Sequence, residues 1–168
     1  MQAELARNFF ELFGLPMQFD LDTAALAGHY RDLQRRYHPD RFAAASEPER
    51  RLAMQVASHV NEAYQTLRDP LTRGRYLLRL RGVDTGEETD SVMAPAFLMA
   101  QMALREELDE AKRASDRAVR IARIGESVRQ SIDERIARLR EALALTDSTG
   151  AQRARALVRE MQFLRKVQ

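Results

Sequence analysis

Pro39 falls between two apolar stripes of helical period, and it forbids a single helix from carrying both. Leu26, Tyr30, Leu33 and Tyr37 recur at steps of four, three and four residues, the spacing of one buried helix face. Ala53, Val56, Ala57, Val60, Tyr64 and Leu67 repeat that pattern further along. Proline lacks a backbone donor and disfavours helical geometry at the residue before it, so the first helix should end at His38. The chain is then predicted to form an antiparallel helical hairpin whose stripes bury one another and whose rigid bend displays His38-Pro39-Asp40. This reading requires a solvent-exposed Asp40 carboxylate and a helix broken at the proline.

The surrounding signals agree with an all-α chain. Phe9, Phe10, Leu12 and Phe13 make a short apolar helix stopped by Gly14 and Pro16. Asp22 is placed to cap the next helix, and Ser46 with Glu49 has capping-box spacing, with Pro48 tolerated in the first turn. Asp69-Pro70 reads as a cap and helix start for a shorter helix that carries Tyr76, Leu77 and Leu80 and closes at Gly82. Beyond it, three longer stripes follow: Phe97, Leu104, Leu108 and Ala111; Ile121, Ile124, Val128, Ile132, Ile136, Leu139 and Leu143; and Ala154, Leu157, Met161 and Leu164 after an Asp147–Gly150 turn. Each needs a partner to leave water, which predicts a C-terminal three-helix bundle. The spacing leaves open whether the first two of these helices separate near Lys112–Asp116 or run on as one. The predicted organisation is an N-terminal helical domain over 8–81, a connector over 82–94 and the bundle over 95–168. No period-two alternation runs long enough to demand a sheet.

Composition narrows the function. Hydrophobic residues make up 45% and charged residues 31% of the 168 residues, as in a globular chain. The absence of cysteine removes disulfides, thiolate nucleophiles and cysteine-bound metal, and fits a reducing compartment. No apolar run approaches the length of a membrane span, and Met1-Gln2-Ala3-Glu4 does not open a signal peptide, so a cytoplasmic protein is expected. The net charge is only +2, so attraction to nucleic acid would need a local basic cluster.

Arg31, Arg35, Arg36 and Arg41 form such a cluster around the corner. It reads either as a solvated helix face or as a docking surface, and its place beside His38-Pro39-Asp40 favours docking. Asp32, Glu47 and Glu49 interrupt the positive surface, which argues against nucleic acid. His29, His38 and His59 form no compact metal-ligand set, and no nucleophile or second perturbed acid accompanies His38, so neither an enzyme nor a metal or cofactor site is expected. In the second region Leu98, Met99 and Met102 lie off the Phe97 face, and Phe163 lies off the Leu157 stripe. The residues leave three readings for these four: packing against the first region or the connector, an exposed patch for another protein, or self-association.

With these residues in view, the first region resembles a J-domain. The resemblance rests on His38-Pro39-Asp40, Asn61-Glu62-Ala63-Tyr64, Asp69-Pro70 with Arg73, Tyr76-Leu77-Leu78, and the opening Phe10-Glu11-Leu12-Phe13-Gly14-Leu15-Pro16. Phe97-Leu98-Met99, Met102, Leu104-Arg105-Glu106-Glu107-Leu108 and Phe163-Leu164 resemble the C-terminal domain of the HscB family of iron–sulfur cluster assembly co-chaperones. The resemblance implies a chain that stimulates the ATPase of a DnaK-type, HscA-like chaperone and brings it an IscU-like scaffold protein. It implies stimulation by His38, Pro39 and Asp40, electrostatic docking by Arg31, Arg35, Arg36 and Arg41, and scaffold binding by Leu98, Met99, Met102 and Phe163. A monomer with no cofactor, no nucleic acid and no membrane partner is expected. Arg41 stands where many J-domains have lysine, which keeps the charge with another geometry. The residues before Phe9 are an additional charged lead, and with no cysteine present the zinc-binding extension of some eukaryotic relatives is not expected.

Overall fold

The computed structural model describes residues 1–85 and 95–166, and among these no strand occurs. Two compact units divide the chain, Met1–Leu77 and Leu78–Gln168. Most of the predicted connector, residues 86–94, lies outside the described residues.

The first unit opens with two short helices, α1 (Gln2–Leu5) and α2 (Phe9–Leu12). It continues with α3 (Thr23–Arg36), a 3-10 turn over Pro39–Phe42, α4 (Glu47–Arg68) and the start of α5 (Pro70–Leu80). The capping residues act as the sequence predicts. The Asp22 carboxylate accepts the Ala24 and Ala25 amides at 2.9 and 3.0 Å. Glu49 reaches back to the Ser46 amide at 3.0 Å and hydroxyl at 2.7 Å, and these bonds hold its carboxyl below the usual range. Asp69 accepts the Thr72 amide at 2.9 Å.

The two stop glycines share one mechanism. Gly14 and Gly82 sit at φ +61° and +73°, a region costly for residues with a Cβ. At each, the following amide bonds a carbonyl five residues back, Leu15 to Phe10 at 2.9 Å and Val83 to Leu78 at 2.9 Å, the Schellman arrangement that satisfies a helix end.

α3 and α4 pack as the predicted hairpin, with Leu26, Val56, Val60, Ala63 and Leu67 at its centre. Phe10 is fully buried, and Phe9 stacks on Tyr76 at 4.4 Å while its amide donates to the Tyr76 hydroxyl. Buried Arg73 donates to the Leu67 carbonyl at 2.8 Å and lies over the Phe19 ring. A charge is tolerated there because its guanidinium has an acceptor at the C-terminal end of α4.

The second unit holds α6 (Pro95–Arg113), α7 (Arg117–Ala144) and α8 (Ser148–Arg165), so a break at Ala114–Asp116 separates the first two helices. α7 runs against both α6 and α8. Arg135 bridges to Glu160 at 2.8 Å. Arg81 donates to the Leu143 and Leu145 carbonyls at 2.7 and 3.2 Å, groups at the end of α7 that lack intrahelical partners.

Three details depart from the stripe reading. Ile121 is exposed, because it lies near the start of α7, ahead of the part that buries Ile124 and Val128. In α8 the buried residue is Val158, while Leu157 is half-buried. Asp147 and Gly150 are not a turn between helices: Asp147 caps α8 by accepting the Gly150 amide at 2.7 Å. A Cβ on Gly150 would lie 2.6 Å from the Leu145 Cβ and 2.7 Å from the Ala142 carbonyl oxygen. Although alanine favours helix, Gly150→Ala is therefore expected to destabilise the bundle by about 1–3 kcal/mol, read as a lower urea midpoint with an unchanged slope.

Candidate functional site

The corner is built by interrupting α3. The Tyr37 amide makes the last helical bond, to Leu33 at 3.0 Å, and His38 then takes the extended geometry φ −61°, ψ 133° that a following proline favours. Pro39 opens the 3-10 turn, closed by Arg41 N–H to the His38 carbonyl at 3.0 Å and Ala43 N–H to the Asp40 carbonyl at 3.3 Å. The helix does not run through the proline. The Asp40 side chain is 90% exposed and the His38 side chain 58% exposed. His38 Nδ1 lies 3.5 Å from Asp40 Oδ2 and 3.4 Å from the Asp40 amide nitrogen, distances too long for strong bonds. Imidazole and carboxylate therefore stand side by side, facing water.

Arg31, Arg35, His38, Pro39 and Arg41 line one groove of about 720 Å³ together with Gln34, Tyr37, Ala57 and Asn61. Arg36 is outside it, with its guanidinium 5.4 Å from the Tyr37 ring centre. Arg35 is also paired with Asp32 on the exposed face of α3. Such an exposed pair contributes about 1 kcal/mol or less, so it is easily exchanged for another.

Two braces that apolar spacing does not reveal stand behind the groove. Tyr30 donates to the Asn61 side-chain oxygen at 2.9 Å, the Gln34 amide donates to the Tyr30 hydroxyl at 2.6 Å, and Tyr30 stacks on Tyr64 at 4.0 Å. The signal for this brace was present in Asn61 and Tyr64, whose spacing puts them one turn apart on α4. The other brace is the Tyr37 hydroxyl, which donates to Glu4 Oε1 at 2.6 Å. The amino-terminal ammonium and that hydroxyl draw the Glu4 carboxyl down to about 2, while burial and the Glu4 bond raise Tyr37.

In the second unit Leu98, Met99 and Met102 are 43%, 71% and 64% exposed and share one side of α6 by their spacing. Phe163 differs from them. It is half-buried, edge-on to Phe97 at 5.9 Å between centroids, with the Arg105 guanidinium 5.8 Å from its ring centre. Arg105 stands one turn beyond Met102 on α6.

The remaining histidines have structural partners: His29 Nδ1 lies 2.5 Å from the Phe13 carbonyl oxygen, and His59 meets the Phe9 ring edge-on. Among the described residues no group of three or more His, Cys, Asp or Glu is placed to hold a metal. No helix among them is long and apolar enough to cross a membrane.

A helical hairpin that displays His-Pro-Asp at its bend, beside an arginine-lined groove, defines a J-domain protein. The whole chain is 49% identical to the co-chaperone HscB homologue of Cupriavidus taiwanensis, of which it covers 93%. The chain belongs to the HscB family of J-domain co-chaperones of iron–sulfur cluster assembly. The homologue from Burkholderia thailandensis is 47% identical, over 97% of this chain and 91% of its own. A family model described as the HSCB C-terminal oligomerisation domain matches residues 93–168. Among solved structures, the chaperone HscB from Vibrio cholerae has a TM-score of 0.84 at 40% identity, covering 96% of this chain and 93% of that one. Human co-chaperone protein HscB has a TM-score of 0.86 at 32% identity, covering 96% of this chain and 78% of that one. The all-α architecture, an N-terminal helical hairpin followed by a helix bundle, is the architecture of these structures.

Proposed function

We propose that this chain performs its family's work through two surfaces, one on each unit, and makes no covalent chemistry of its own. As an HscB-family co-chaperone it stimulates the ATPase of an HscA-like chaperone and delivers an IscU-like scaffold to it. His38, Pro39 and Asp40 trigger hydrolysis in the chaperone, and Arg31, Arg35, Arg36 and Arg41 dock on its acidic surface. Leu98, Met99, Met102 and Phe163 hold the scaffold. The observation that carries the first role is the outward, solvent-exposed Asp40 carboxylate at the broken helix. The second rests on three large apolar side chains exposed together on α6.

Holding both partners in one complex raises their effective concentration, so weak separate contacts suffice. Hydrolysis then shifts the chaperone toward its tight-binding state, linking its nucleotide and client sites. The chain acts in the cytoplasm and as a monomer on this reading, although the matching family description names the C-terminal domain for oligomerisation.

Docking through exposed arginines should be salt-sensitive. With the Debye length falling from roughly 14 Å to 6 Å between 50 and 300 mM salt, half-maximal stimulation should require about tenfold more of the chain at the higher salt. Arg31→Ala with Arg35→Ala should flatten that dependence. ATPase titrations at several salt concentrations measure both, and a salt-independent midpoint would remove the electrostatic docking role.

A further inference from the structure

We infer that Glu4 is a positioning residue for chaperone stimulation, holding Tyr37 and, through it, the His38 corner. The inference rests on the chaperone reading above. Tyr37 is the last residue before the corner and is 3% exposed. Its backbone is fixed by the bond to Leu33, and its hydroxyl is fixed by Glu4. A change at Tyr37 is passed directly to the His38 backbone, because the two share a peptide plane.

α1 packs against α4 yet contributes no buried residue, so it adds little to the core. Its most specific contact with the hairpin spans 33 positions and ends on the residue beside the corner. Glu4 thereby ties the end of α3 to a helix seated on α4. Glu4 touches no reacting group; it acts through Tyr37. The charged lead is thus part of the trigger, holding in place the corner that the proline creates.

The test uses the full chain as Glu4→Ala, Glu4→Gln and Tyr37→Phe, with two readouts. Hydrogen exchange of the Tyr37–Ala43 amides needs no partner. Glu4→Ala should speed it roughly tenfold, as expected when a charged hydrogen bond that restrains local opening is lost, and α7 and α8 should be unaffected. Titration of a purified DnaK-type chaperone of the HscA kind reads the second. Glu4→Ala and Tyr37→Phe should each raise the half-maximal concentration about five- to tenfold at an unchanged maximum, the pattern of a misplaced but intact trigger. Glu4→Gln, which keeps an acceptor oxygen, should restore most of both.

If Glu4→Ala lowers the melting temperature but leaves corner exchange and the titration as in the wild type, the tie is only structural and the inference fails alone. The same holds if Glu4→Gln is as defective as Glu4→Ala. If the wild-type chain gives no stimulation, the chaperone reading falls and the inference falls with it.

Discussion

His38→Gln is expected to abolish stimulation of the chaperone's ATPase while leaving the fold and the scaffold affinity as they are. Glutamine is polar and of similar reach, and the side chain it replaces is more than half exposed, so the fold should change by no more than about 0.5 kcal/mol. What is lost is local. The imidazole ring is rigid and stands beside the Asp40 carboxylate at 3.5 Å, while Pro39 prevents the backbone from reorganising to compensate. A flexible amide cannot hold that rigid arrangement of ring edge and carboxylate. Steady-state hydrolysis with purified partners should fall to the unstimulated rate. Full stimulation by the variant would refute the role given to the corner.

The converse variant, Leu98→Ala with Met99→Ala and Met102→Ala, should lose the scaffold and keep the trigger. All three side chains face solvent in the free chain, so truncating them opens no cavity in the bundle and should alter its stability little. In a complex the same surface would be buried. At roughly 1 kcal/mol or more for each large apolar side chain removed from water, affinity should drop at least about a hundredfold. Methionine side chains adapt their contour to a facing surface. Calorimetry against the scaffold reads the loss, and unaltered affinity would show that the patch serves another purpose. Together the two variants dissociate the functions, which a single shared surface would not permit.

Much of this molecule was legible in its sequence because the signals are local. Asp22, Ser46 with Glu49, and Asp69 each cap within three residues, and Gly14 and Gly82 stop helices through bonds at most five residues long. The broken helix at Pro39 follows from covalent geometry. Apolar stripes predict which residues are buried only to within about one position, since neighbours differ by ~100° around the helix. At Leu157 and Val158 both neighbours are apolar, and the packing of α8 rather than the period selects Val158. Ile121 fits the stripe, but its partner helix does not cover it.

The contacts that escaped were long-range. Glu4 and Tyr37 are far apart in sequence and nothing in their spacing links them. Phe163 lies off the α8 stripe, yet its edge contact with Phe97 half-buries it. Such pairs become visible only once helices are placed side by side.

The most direct measurement titrates the wild-type chain into an HscA-like chaperone, with and without the scaffold, and follows steady-state ATP hydrolysis. An adaptor should stimulate alone and stimulate more with the scaffold present than the two separate increases combined, and the α6 triple variant should lose only that excess. Hydrolysis that does not respond to the chain, or that responds identically with and without scaffold, would contradict the account.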